Sequence, residues 1–227
     1  MKKITSSILI IVNSLIAFGQ PTECGCYEGI GFSINDTPIL VTKFDNGQIL
    51  TVCGYLEKRI SPTEVKVSEF NVFNCNTGES LVEFGALENC IVRFENSVLI
   101  IDKLSLLPTG DNWKWTYVTV GSQQLFKNGN DIVVTPLKPN FKMVGIPQNR
   151  INSLFKEIEK LKGKGYSDAF EEIIGKLELL ALNNNIQAYN ILMDFNIYFG
   201  FITDGATREQ LDDAISTINF ITNRNMH

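Results

Sequence analysis

Trp113, Trp115 and Tyr117 alternate in the run Trp113-Lys114-Trp115-Thr116-Tyr117. Residues two apart on an extended strand point to one side. The spacing therefore predicts three large rings on a single strand face. Exposed, such a row is a flat aromatic platform that stacks a sugar ring or anchors a protein partner. Buried, the same rings are core and Lys114 and Thr116 face water, the commoner fate of large aromatics.

Acid–base and nucleophilic chemistry are constrained by histidine. The chain has one, His227, and it is the last residue. Ser-His-Asp and Cys-His pairs need an imidazole held in place by a third group, and terminal residues are usually mobile. Zinc hydrolase sites built on two or three histidines are excluded on the same count. Carboxylate chemistry survives, since a glycosidase needs only two acids about 5–9.5 Å apart. Glu57, Glu69, Glu83 and Glu95 sit in or beside predicted strands. Their spacing selects no pair.

Other motifs fail on their own terms. Asp194-Phe195-Asn196-Ile197-Tyr198-Phe199 opens like a calcium loop, but it lacks the sixth-position Gly and has Gly205 where the twelfth-position Glu belongs. It reads as helix interior. Gly29-Ile30-Gly31 has neither a third glycine nor a following helix, so it is no dinucleotide fingerprint. No metal or other cofactor is expected.

The five cysteines are Cys24, Cys26, Cys53, Cys75 and Cys90, all in the first half. Outside the cytoplasm they read as disulfides. Cys24 and Cys26 are too close in sequence to join each other without strain. The expected pairs are Cys75 with Cys90, and Cys24 or Cys26 with Cys53. An odd count leaves one thiol free, which would suit a covalent dimer.

The elements that must position these residues change character near residue 146. Before it, short strands alternate with turns. Strands are predicted at 27–34, 39–44, 48–56, 64–73, 80–84, 90–94, 98–104, 113–121 and 131–135, with 124–126 either extending the strand at 113–121 or starting another. Asp45-Asn46-Gly47, Asn76-Thr77-Gly78, Glu95-Asn96-Ser97 and Lys127-Asn128-Gly129-Asn130 are the turn signals. Eight or nine strands at such spacing indicate an antiparallel β-sandwich or a barrel-like meander. Pro136, Pro139 and Pro147 punctuate a connector over 136–146.

After the connector the apolar period becomes helical. Ile151, Leu154, Phe155, Ile158 and Leu161 make one stripe. Ser167 caps a second helix carrying Phe170, Ile173, Ile174, Leu177, Leu180 and Ala181. The segment 186–202 is apolar nearly all round and is expected at the centre of a packed set. Thr207 and Gln210 suggest a capping box for a fourth helix. The fold class is thus α+β, with an antiparallel β domain at 20–135 and about four antiparallel helices at 147–227.

Lys2, Lys3, the apolar run 4–18 and the Ala17/Gly19 spacing match a secretory signal peptide of bacterial type over residues 1–19. The mature chain is expected to begin at Gln20, to be extracytoplasmic, in the periplasm or secreted, and to contain no membrane span. Asn35-Asp36-Thr37 is a glycosylation sequon that matters only in a eukaryotic host. The precursor has 20 basic and 25 acidic residues. No basic stripe is present, which disfavours nucleic acid and anionic membranes. Without a placed imidazole, the chain reads as an exported, non-catalytic protein that recognises a protein partner, inhibitor-like or immunity-like. The alternative is a glycan-binding or carboxylate-based carbohydrate-active protein working through Trp113, Trp115 and Tyr117.

Overall fold

The computed structural model describes residues 24–27 and 36–222, without the side chains of 86 and 87. The signal segment, most of the strand expected at 27–34, Asn35 of the sequon and His227 lie outside the described residues.

Eight strands form one antiparallel sheet: β1 (Leu40–Lys43), β2 (Ile49–Ser61), β3 (Glu64–Asn74), β4 (Glu79–Glu95), β5 (Val98–Leu107), β6 (Thr116–Asn128), β7 (Asp131–Val134) and β8 (Lys138–Pro139). The order is β1-β2-β3-β4-β5-β6-β7, with β8 added beside β6. The expected meander is therefore the form adopted. Its turns follow local chemistry. Asn96 and Ser97 both take positive φ, at 50° and 58°, between Glu95 and Val98. That is the two-residue turn whose twist matches the flanking strands.

The strands are longer than their sequence signals. The segments expected at 80–84 and 90–94 are the two ends of β4. The expected strand at 113–121 starts only at Thr116.

The inner face of the sheet buries a contiguous apolar set, including Leu50, Val52, Val65, Val67, Val92, Leu99, Ile101 and Leu125. The first and last hairpin tips meet: Lys127 Nζ lies 2.5 Å from Asp45 Oδ1, and Gln48 Nε2 donates to the Asn130 carbonyl. The sheet thus curls around its own core. Register shifts between Gly54 and Tyr55 and around Glu69, which has φ 47°, mark a bulge in the β2–β3 pair. Gly54 is required there, because a Cβ would stand 2.4 Å from the Glu69 carbonyl oxygen.

Two disulfides staple the start of the described chain to this sheet. Cys26 joins Cys53 on β2, and Cys24 joins Cys75 in the turn after β3, with Cα–Cα distances of 5.8 and 5.6 Å. Cys26 is thus the partner of Cys53. The expected Cys75–Cys90 bond is not made. Cys90 sits within β4 with its side chain in the sheet core, while Cys75 lies in the turn beyond β3. Burial pushes the free Cys90 thiol far up, with the Glu88 carboxylate adding to it. A covalent dimer through Cys90 is therefore disfavoured.

The helical layer contains α1 (Gln148–Leu161), α2 (Phe170–Leu182), α3 (Ile186–Met193), α4 (Phe195–Phe199) and α5 (Gly205–Thr222). The segment expected as one central helix over 186–202 breaks at Asp194, so that aspartate is a junction between helices rather than helix interior. The centre is α2, in which Phe170 and every residue from Ile173 to Leu182 are buried. Ile197 and Ile202, by contrast, are each 83% exposed. Phe170 anchors an aromatic cluster with Phe195, Phe199 and Phe201, ring centroids 4.7–5.3 Å away. Each such buried ring contributes about 1.5–3 kcal/mol by burial alone. Asn185 caps α3 by accepting from the Ala188 N–H at 2.9 Å. In place of the expected capping box, Gln210 Nε2 donates to the Glu171 carbonyl at 2.8 Å and ties α5 to α2. Among the described residues no helix is long and apolar enough to cross a membrane.

Helices and sheet meet at the β5–β6 end. Leu107 belongs to the helical core, and Trp113 and Val118 pack against it. Phe220 of α5 approaches the position a Cβ of Gly121 would occupy to 3.0 Å. Val144 donates its N–H to Asn183 Oδ1 at 2.8 Å, fixing the connector to the end of α2.

Candidate functional site

At this seam lies a cleft of about 420 Å³ between β4–β6 on one side and α2 and α5 on the other. Its size falls within the range of ligand pockets. The sheet supplies Glu88, Lys103, Leu106 and Tyr117, and Trp115 joins them from the position just before β6. The helices supply Glu178 from α2, and Gln210, Asp213, Ser216 and Thr217 from α5.

The aromatic residues do not form the expected platform. Gly110 to Lys114 make a short turn in which Asn112 and Trp113 have φ of 53° and 61°. Strand alternation therefore cannot reach Trp113. That ring packs against the helical core instead, with the Arg150 guanidinium 4.3 Å and Lys176 Nζ 5.6 Å from its centroid. Trp115 is half-buried, and its ring tip rests on α2. A Cβ on Gly175 would be 2.1 Å from Trp115 Cη2, so this helix position must be glycine. Tyr117 is 46% exposed and lies opposite Leu106, itself 44% exposed, across the β5–β6 ladder. Lys66 Nζ sits 3.6 Å from the Tyr117 ring centroid. Trp115 and Tyr117 thus share the cleft, and Trp113 does not line it.

The carboxylates first considered are elsewhere. Glu57 accepts from Ser68 Oγ at 2.9 Å, and Glu95 pairs with Arg93 at 3.0 Å. Glu69 occupies the bulge, and neither it nor Glu83 lines the cleft. The acid that stands out is Glu178. It is only 7% exposed, lines the cleft, and makes no hydrogen bond or ion pair among the described residues. Burial, with the Asp213 carboxylate adding to it, pushes its carboxyl up to about 8. Water exclusion penalises the charged form, and a neighbouring negative charge does the same.

Glu178 carried a sequence signal. It lies four residues after Ile174 and three before Ala181, on the face that α2 turns to the core. A charged residue at such a position needs a partner. Lys176 of the same helix, also buried, has one in Glu172 at 2.6 Å. In the cleft, the cation Lys103 is committed to Glu88 at 2.5 Å. Asp213 left no comparable signal, because it joins the cleft only through the packing of α5 on α2.

No group of three or more His, Cys, Asp or Glu positioned to hold a metal occurs among the described residues. The chemistry the cleft offers is polar recognition: an uncompensated carboxyl at a helix face, a second carboxylate, two aromatic rings, and hydroxyl and amide groups from α5. No family model matches this chain, and neither a curated protein nor a solved structure does.

Proposed function

We propose that this is an exported, non-catalytic recognition protein that seats a side chain of a protein partner in the seam cleft. One observation carries the reading: Glu178 is a buried carboxyl without a partner, facing a solvent-connected cleft. Its oxygens are not among the fully buried side-chain atoms that lack a partner, so they open into the cleft, where an incoming donor would reach them. The cleft is bordered by Leu106 and Tyr117, an apolar and an aromatic residue paired across two strands and both about half exposed. Such a border suits a protein anchor excluded from water. The two disulfides are compatible with a compartment outside the cytoplasm.

A glycan is the second reading, favoured by Trp115 and Tyr117 lying in one cleft with Gln210, Ser216 and Thr217. It is weakened by the use already made of the rings, since Lys66 covers Tyr117 and the tip of Trp115 rests on Gly175.

The test places a photo-crosslinking side chain at Leu106 of the mature chain and returns the protein to its native envelope or secreted fraction. One partner protein should be labelled from position 106 and not from Glu157, exposed on α1 and outside the cleft lining. Unlabelled wild type should compete and Tyr117→Asp should not. Equal labelling from both positions, or none from 106, would overturn the reading.

A further inference from the structure

We propose that the cleft takes a positively charged group, the ammonium or guanidinium end of a lysine or arginine side chain, between Glu178 and Asp213. This rests on the partner-binding reading and names the chemistry of the anchor.

The charge balance of the cleft is the first argument. Its ionisable lining comprises Glu88, Glu178 and Asp213 against Lys103, besides Tyr117. Lys103 and Glu88 are bonded to each other at 2.5 Å. Two carboxyl groups remain, from different helices, with no cation between them. The nearest spare cation on α2, Lys176, is held by Glu172 and directed toward Trp113. Elsewhere the fold pairs its buried charges: Asp102 is held by both Arg93 and Ser122. Of the buried charged residues among those described, Asp102 and Lys176 have ion-pair partners and Glu178 has none.

The second argument is the match of donors and surfaces. A neutral alcohol or sugar could accept a hydrogen bond from protonated Glu178, but it would not offset two like carboxylates. An ammonium brings three donors and a guanidinium five, each with a compensating charge. The Tyr117 ring already carries Lys66, so the attraction rests on the two carboxyl groups rather than on that ring. Low-dielectric walls of one charge sign focus that attraction.

A bound cation favours ionised Glu178, so binding releases the carboxyl proton to solvent. The charged and titratable groups around the cleft are the Glu88–Lys103 pair from β4 and β5, Tyr117 from β6 with Lys66 of β3 over its ring, Asp213 from α5, and the Glu172–Lys176 pair on the same helix as Glu178. Burial, with Asp213 adding to it, holds the Glu178 carboxyl protonated at neutral pH. Affinity should therefore rise with pH, by up to about tenfold per unit below pH 8, and level off above it.

The experiment follows the Trp115 indole N–H by NMR, assigned with Trp115→Phe, at constant ionic strength. The probes are n-butylammonium and Nα-acetyl-lysine amide, with n-butanol and glucose as neutral controls. Both cations should shift the signal saturably and bind at least tenfold more tightly at pH 9 than at pH 6. Glu178→Gln should weaken binding and remove the pH dependence. Tighter binding of the lysine amide than of n-butylammonium supports a partner's side chain as the source, and equal binding supports a free amine. Equal shifts with the neutral controls, no shift with the cations, or a flat pH profile would overturn the proposal. Crosslinking from Leu106 that persists alongside such a failure would discard the charge and leave the partner reading standing. Loss of both would discard both.

Discussion

Asp102 in the sheet and Glu178 in the helical layer are both acids with less than a tenth of their surface exposed, and the fold treats them in opposite ways. Asp102 receives Ser122, its direct partner across the β5–β6 ladder, and Arg93, which reaches it diagonally from opposite Ile100 on β5. Among the described residues Glu178 has no hydrogen-bond or ion-pair partner, and the like charge of Asp213 acts on it. The chain is able to satisfy a buried carboxylate, so on the proposed reading the contrast is between a group used for stability and a group kept available. Structural ion pairs stabilise the state in which they are already made. A desolvated acid beside a like charge destabilises the free protein and is compensated when a cation binds.

The largest expected effect is on the pH dependence of stability. In the unfolded chain Glu178 loses its proton near 4.5, and in the folded protein near 8. Below 4.5 both states are protonated and the group has no effect. Between 4.5 and 8 the folded state keeps a proton the unfolded state has released, so stability falls as pH rises. Glu178→Gln should remove this slope. The variant should unfold close to wild type at pH 4.5 and be more stable at pH 9 by several kcal/mol, on the order of 1.4 kcal/mol for each pH unit of displacement. Urea unfolding at both pH values checks this. A variant less stable than wild type at pH 9 would place Glu178 with Asp102 among the structural acids.

Asp102→Ala should behave in the opposite sense. It strands Arg93 with Glu95 alone and removes the acceptor of Ser122. A loss of about 3 kcal/mol is expected in the same unfolding assay at pH 7. A neutral outcome would erase the contrast. Gly175→Ala should cost about 1–3 kcal/mol, because the new methyl meets the Trp115 ring, whereas Ala normally favours a helix. It should also shift Trp115 fluorescence, since the ring must leave its seat on α2. The smallest effect is expected at Cys90. The native thiol should resist maleimide and react only after unfolding, with no covalent dimer on non-reducing gels.

The division into meander and helices was legible because each rests on a local period. Turn residues such as Asn46-Gly47 and Asn96-Ser97 announce themselves. The extent of β4 was not legible, since its two expected halves pair with β3 on either side of a register shift that leaves 85–88 without a partner on β3, and no side-chain pattern encodes that continuity. The break at Asp194 was hidden by apolar residues on both sides, which reward burial whether or not the helix is continuous. Trp113 misled for a related reason. Alternation speaks to a strand's face only where there is a strand, and positive φ at Asn112 and Trp113 ends that condition. The cleft was half legible. Trp115 and Tyr117 were named from spacing, and Glu178 stood at a core-facing helical position. Asp213 came from tertiary packing alone, as did the pairing of Cys24 with Cys75.

The most direct test is a carbon-13 NMR titration of the Glu178 side-chain carboxyl in the free protein and with n-butylammonium present. The expected result is titration near pH 8 in the free protein, moving to lower pH with the amine, and remaining only partly lowered in Asp213→Asn, since burial is the larger cause. Titration in the ordinary carboxylate range near 4.5, unmoved by the amine, would contradict the claim that Glu178 is held uncompensated for a cationic partner.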